Sequence, residues 1–250
     1  MPKFICISLV RHGEADRNVA QNGKFIDEDP DPLTWSGRRQ VKNLGISWAQ
    51  SDTPIDILYS SPLERAVDTA KAIAAEHKDH PEIIVKAELV ERKFGTYLRR
   101  LDRDSNAFYA EINGPHVGRI FGGEKPDRSH RPRDGGESLE DVANRAETFF
   151  REYIAKHAIT IDEKPDLQAI RYTDKVPVGI PHIVVVSHNV FLTELYEVLT
   201  QWNSKRHIWT DFHLRNAQCR RFLVSIEDAE DGNFPARVHE VGKLDVQVLG

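Results

Sequence analysis

At 250 residues, with 40% hydrophobic and 29% charged side chains, the chain has the composition of an ordinary soluble globular protein. That is long enough for one large domain with a well-buried core or for two small ones. A formal net charge of -5 excludes a general nucleic-acid binder, which needs a basic surface, while leaving room for local basic patches. No apolar run approaches the length of a membrane span, and the first residues lack the basic-then-apolar pattern of a secretory signal. The expected compartment is the cytosol or nucleus, with no membrane partner. Cys6 and Cys219 each sit in an apolar, strand-like run, which predicts two buried free thiols rather than a disulfide or a metal site.

The run from Ile5 to Val10 predicts an interior strand that ends abruptly on Arg11-His12-Gly13-Glu14. The carboxyl end of a strand in an open α/β sheet is where ligands sit. Arg11 offers a fixed fork of donors for an anion, and His12 a nitrogen that can attack or take a proton. Gly13 is read as a residue that lets the backbone turn close to a ligand. The plain alternative pairs Arg11 with Glu14 or Asp16 and makes His12 an ordinary loop histidine. Residues 14–32, ending in the acidic, proline-broken run Asp27 to Pro32, read as a surface loop. A helix opens at Leu33 to Gly37, capped by Thr34 or Ser36, with Val41, Leu44 and Trp48 on its buried stripe, and ends near Asp52 to Pro54.

Ile55 to Ser60 predicts a second strand. Ser61-Pro62-Leu63-Glu64 carries the serine, proline and glutamate of a helix start, followed by a core face of Ala66, Val67, Ala70, Ile73 and Ala74. Arg65 falls in the first turn of that helix, where a cation is unfavourable unless an anion joins it. It reads either as half of an anion site or as a surface arginine paired with Glu64 or Asp68. Ile83 to Val85 is a short strand, and Glu88 to Gly95 again ends in charge and glycine around Glu91. From Arg92 to Arg133 there are ten lysines or arginines against five acidic residues. Turn formers crowd this stretch, which predicts an irregular basic excursion over the site.

Ser138, with Asp141 three residues on, restarts a long helix carrying Leu139, Val142, Ala146, Phe149 and Tyr153 on one face. Ile161 to Pro181 is a second polar excursion. His182 to Ser187 is the clearest strand, β-branched and ending on His188-Asn189, with Phe191, Leu192, Leu195, Val198 and Leu199 marking the helix behind it. Gln218 to Ile226 and Leu244 to Val248 complete the predicted strands. His207, Asp211 and His213 fit no defensible metal spacing. Strands alternating with helices predict an α/β three-layer sandwich, its mostly parallel central sheet flanked by helices. The expected organisation is one domain over residues 1–250, with the basic insertion at about 96–134 and the second excursion at about 160–181.

The run Arg11-His12-Gly13-Glu14 with Asn18, Leu33-Thr34 with Gly37 and Gln40, Ser60 to Leu63 with Arg65-Ala66, Glu91 with Gly95, Gly135 to Ser138, and Ser187-His188 resemble, in order, the histidine phosphatase superfamily, also called the phosphoglycerate mutase-like family. The resemblance implies a phosphohistidine intermediate on His12, a phosphate held by Arg11, Arg65 and His188 in a pocket lined by Asn18, and Glu91 as the acid for the leaving oxygen. It implies no metal and no cofactor. Cationic donors around a transferring phosphoryl group would supply most of the catalysis. Asn189 stands where the family often has glycine, narrowing the pocket or adding a substrate-binding donor.

The helical insertion of the family's phosphoglycerate mutases is not recognisable here. The expected activity is therefore metal-independent hydrolysis of small phosphorylated metabolites. A phosphoglycerate-type mutase, a phosphoprotein phosphatase and a non-catalytic phospholigand-binding domain are the alternatives. Arg99, Arg100, Arg103, Arg128, Arg131 and Arg133 are expected to suit a second anionic group on the substrate. The oligomeric state is not legible; a dimer is compatible with the sequence.

Overall fold

The computed structural model describes residues 1–19, 30–103, 105–114, 125–162, 165, 176–200 and 207–226, and the backbone of 236–244. Strand β1 (Lys3–Arg11) buries every residue from Phe4 to Val10. A strand dry on both faces belongs inside a sheet. β1 lies between the parallel β5 (His182–Ser187) and the antiparallel β6 (Cys219–Ile226). With β2 (Ile57–Ser60), β3 (Ile83–Val85) and β7 (Ala236–Leu244), the order is β3-β2-β5-β1-β6-β7. The first four strands of that order are mutually parallel, and β6 and β7 add an antiparallel flank. A two-residue strand, β4 (Ile159–Thr160), pairs antiparallel with the start of β1.

Helices cover both faces, as the alternating pattern requires. On one face α2 (Trp35–Ser51) and α3 (Glu64–Glu76) set Leu44, Trp48, Ala66, Ala70 and Ile73 against Val10, Leu58 and Val184. On the other, α5 (Leu139–Phe149) and α6 (Asn189–Thr200) set Val142, Phe149, Phe191 and Leu195 against Ile7, Leu9 and Val185. A one-turn helix α1 (Asp16–Val19) follows β1, and α4 (Asn106–Asn113) lies in the basic insertion. Cys6 and Cys219 are both buried free thiols, their pKa values pushed up by burial to about 12 and about 11. Among the described residues no helix is long and apolar enough to cross a membrane.

Several elements depart from the sequence reading. Ser61 does not cap α3, which begins at Glu64 with Leu63 at the cap position; its hydroxyl instead accepts from Leu63 N–H (3.3 Å) in the preceding turn. The helix from Ser138 keeps its capping box but switches at Phe149 into a π-helical turn, Phe150–Ile154. The extra residue rotates the face, so Phe150 and Ile154 are fully buried and Tyr153 packs only partly. The insertion is not wholly irregular, since it holds a 3₁₀ turn, Thr96–Arg100, besides α4. The last strand ends at Leu244, and the rest of the stretch predicted for it, 245–248, lies outside the described residues.

Candidate active site

The sheet order brings the predicted residues together. Arg11 is paired in register with Ser187, so His12 and His188 leave adjacent parallel strands side by side. Their rings stand 5.0 Å apart at 54°. Ser60 pairs with Val186, and Ser61 N–H donates to the Val186 carbonyl (3.0 Å), which brings the turn before α3 to the same edge.

His12 is 2% exposed, and its Nδ1 lies 2.6 Å from the Gly13 carbonyl oxygen. A carbonyl only accepts, so Nδ1 carries the ring proton and Nε2 keeps its lone pair. Burial, followed by the charges of Arg65, Arg11 and Arg17, holds the His12 pKa well below the usual histidine range. His188 is fully buried and held low by burial, by His12 and by the same arginines. Its Nε2 meets Ser61 Oγ at 2.8 Å. That hydroxyl also accepts from Leu63 N–H, which ties His188 to the turn before α3. Among the described residues the buried His188 Nδ1 has no hydrogen-bond partner, nor has Arg11 Nε.

Neither plain alternative for the arginines is what the fold does. Glu14 is taken by the Thr34 hydroxyl (2.7 Å), which also caps α2 by accepting from Gly37 N–H (2.9 Å). Arg11 instead donates to the Leu214 carbonyl (2.8 Å). Arg65 is buried and meets Asp31 Oδ2 at 3.2 Å, while Asp68 pairs with Lys71. Thr69 ties α3 to the loop by accepting from Gly13 N–H (3.0 Å). Gly13 is needed for packing rather than for an unusual turn. A Cβ there would stand 2.5 Å from Val41 Cγ1 and 3.0 Å from the Gly37 carbonyl of α2.

Glu91 follows the 3₁₀ turn Ala87–Leu89, whose Leu89 carbonyl accepts from the Ser187 hydroxyl (2.7 Å). Its carboxylate accepts from Arg92 N–H (2.9 Å) and from Phe191 and Val190 N–H (3.3 and 3.4 Å), which seats it on the amino end of α6. Asn18 accepts from Ala15 N–H and from Asn216 Nδ2, and Asn216 also donates to the His12 carbonyl (3.2 Å). The Asn189 amide is engaged with the segment that precedes β6. Oδ1 accepts from Leu214 N–H (3.0 Å), and Nδ2 meets His213 Nδ1 at 2.8 Å.

The basic insertion is where the expectation fails most clearly. Arg128 grips Glu194, Arg131 pairs with Asp141, Arg133 with Glu111, and Arg100 lies 3.9 Å from Asp134. Four of the arginines that attracted notice in the sequence thus have intramolecular carboxylates within reach. His207 belongs to the Arg128 cluster and His213 to Asn189, and among the described residues no histidine, cysteine or carboxylate group is placed to hold a metal ion.

One residue missed in the sequence stands at the centre. Asp31, 1% exposed, accepts from Arg17 N–H (3.1 Å) and meets both Arg17 Nε (3.1 Å) and Arg65 NH1 (3.2 Å) through one oxygen. Its position in an acidic, proline-rich run carried no sign of burial.

The model of the histidine phosphatase superfamily, branch 1, matches residues 7–161, a span that contains His12, Arg65 and Glu91. The chain belongs to that superfamily. A 2,3-bisphosphoglycerate-dependent phosphoglycerate mutase of Rhizobium etli is 33% identical over 143 residues, covering 56% of this chain and 63% of that protein. An adenosylcobalamin/alpha-ribazole phosphatase of Salmonella typhimurium is 41% identical over 96 residues, 38% of this chain and 45% of that protein. The phosphoserine phosphatase 1 of Hydrogenobacter thermophilus is 31% identical over 155 residues, 62% and 66% of the two chains. The chain thus spans less than two thirds of these relatives. In fold, this histidine phosphatase superfamily member matches a mycobacterial glucosyl-3-phosphoglycerate phosphatase with a TM-score of 0.61 at 21% identity, over 95% of this chain and 98% of that one. It matches a phosphoglycerate mutase of Bacillus anthracis with a TM-score of 0.61 at 17% identity, over 95% and 93%.

Proposed function

We propose that the protein hydrolyses small phosphomonoesters through a phosphohistidine on His12. The observation that carries this reading is the Gly13 carbonyl on His12 Nδ1, which leaves a neutral imidazole with its Nε2 lone pair beside buried Arg65 and His188. Nε2 attacks phosphorus, the phosphorus–oxygen ester bond breaks, and the leaving oxygen takes a proton from the Glu91 carboxyl. Water then attacks the phosphohistidine, gives a proton to Glu91, and phosphate leaves with His12 neutral again. Arg11, Arg65 and His188 bind the equatorial oxygens, where charge concentrates in the transition state. Asn18 lines this pocket, and Asn189 acts through the loop it holds.

The test is phosphate release from a panel of phosphomonoesters with chelator present, beside His12→Ala. We expect chelator-resistant turnover, abolished in the variant, and a phosphorylated His12 trapped by rapid quench. Turnover that survives in His12→Ala overturns the reading. A phosphoglycerate-type mutase is the second reading, favoured by the Rhizobium relative. It requires phosphoryl transfer to a phosphoglycerate acceptor instead of water, in dependence on a bisphosphorylated primer.

A further inference from the structure

His213 is an imidazole whose protonation is dictated by backbone geometry. Leu214 N–H can only donate, so the Asn189 side-chain atom 3.0 Å from it is the carbonyl oxygen. The other end of that amide is therefore NH₂, and the His213 Nδ1 at 2.8 Å must be an acceptor. Nδ1 then carries no proton, and the ring proton of neutral His213 is on Nε2. The chain of inference needs no assumption about an amide flip, because the backbone N–H fixes it.

His213 is flanked by the phosphate machinery on both sides. Asn189 directly follows His188, and Leu214 directly follows His213 and takes Arg11 NH1 on its carbonyl (2.8 Å). The imidazole is exposed, and after burial its pKa is lowered by Arg11 and Arg215, so it stands within the field of both cations. A ring N–H of fixed tautomer, on an exposed imidazole in the field of Arg11 and Arg215, suits an anionic acceptor on the alcohol portion of the ester.

We propose that His213 is a specificity residue that donates Nε2–H to a carboxylate on the leaving group, and that Asn189 is the positioning residue that fixes its tautomer and its loop. This rests on the phosphomonoesterase reading of the same pocket. It also moves the second-anion subsite away from the arginines of the insertion, which are engaged elsewhere.

Phosphoglycolate and ethyl phosphate form a minimal pair that differs in a carboxylate against a methyl group. Their binding, and that of inorganic phosphate, would be measured by calorimetry for the wild type, His213→Ala, His213→Gln and Asn189→Gly, with turnover followed in parallel. The wild type is expected to prefer phosphoglycolate. His213→Ala should reduce that preference at least about tenfold, the scale of one hydrogen bond to a charged group. His213→Gln, which restores a donor, should recover part of it, and Asn189→Gly should lose it with the ring still present. A folding defect would lower phosphate binding for every ligand alike and would not move the ratio. A ratio unchanged in His213→Ala, with inorganic phosphate still bound, overturns the inference and leaves the phosphatase reading intact. Absence of phosphate binding by the wild type overturns both.

Discussion

Burial first holds His12 and His188 below the usual histidine range, followed by Arg65, Arg11 and Arg17 for His12 and by His12 and the same arginines for His188, and neutrality is what the proposed roles require. The ring resonances of both histidines should hold the neutral chemical shift through about pH 6.5, where a free imidazole titrates, in an NMR titration; movement there would contradict the geometry. The same shifts set the acid stability. The unfolded chain binds protons near 6.5 while the folded chain refuses them, so stability falls as pH drops below that value. Each such histidine removes about 1.4 kcal/mol per pH unit until its folded value is reached. For buried His182 that value is about 3. Urea unfolding should therefore weaken steadily from pH 6.5 to about pH 4.5, and a flat profile would refute the burial argument. Asp31 makes a sharper test. One carboxylate oxygen orients both Arg17 and Arg65. Asp31→Asn removes the charge that holds them and should lower kcat by about 10- to 100-fold, less than the roughly 100- to 1000-fold of losing a preorganised donor outright, with a smaller change in KM. Equal kcat in the variant would make Asp31 a bystander.

At the scale of elements, the site depends on helices meeting strand ends at close range. Gly37 of α2 lies against the Glu14 segment so tightly that a Cβ would stand 1.9 Å from the Glu14 carbonyl oxygen. Backbone cannot yield as a flexible side chain does, so Gly37→Ala must move the loop that carries His12 or the helix that covers it. The expected cost is about 1–3 kcal/mol, with loss of turnover larger than the loss of stability implies. Thermal unfolding and kcat/KM measured together would check it, and wild-type values in both would show that the two elements are not in contact. This scale is also where the sequence was most legible. β1 and β5 are apolar runs of strand length that stop on histidines, and the Thr34 and Ser138 caps carry unmistakable chemistry. The start of α3 was misread because Ser61 has a capping residue's identity but spends its hydroxyl on Leu63 and His188. β4 was illegible because a two-residue strand has no period, and the π turn after α5 because a register change leaves no compositional trace.

At the scale of the whole molecule, the basic insertion illustrates why charge counting failed: partners far apart in sequence neutralise it. Glu194 and Glu197 face inward from α6, and each is 2% exposed, which nothing in an otherwise amphipathic helix announces. Arg128 binds Glu194 through both guanidinium ends, at 3.0 and 2.6 Å. Glu197 holds Thr210 by its N–H and hydroxyl, with His207 at 3.1 Å. One cluster thus fastens the insertion, α6 and the loop that leads to His213 and Leu214. Burial raises the Glu194 pKa even with Arg128 in place. Arg128→Met should strand that carboxylate and cost about 3–5 kcal/mol, as broken buried pairs do. Glu194 raised further in the variant binds a proton on folding, so the deficit should shrink as pH falls below its folded value towards the unfolded one and stand at its full, pH-independent size above the folded value. Arg128→Met with Glu194→Leu removes the stranded charge along with its partner and should restore much of the loss. Chemical unfolding of the two single variants and the double variant at pH 5 and pH 8 would measure this. A double variant no more stable than Arg128→Met would mean that the clamp holds the insertion by packing rather than by charge.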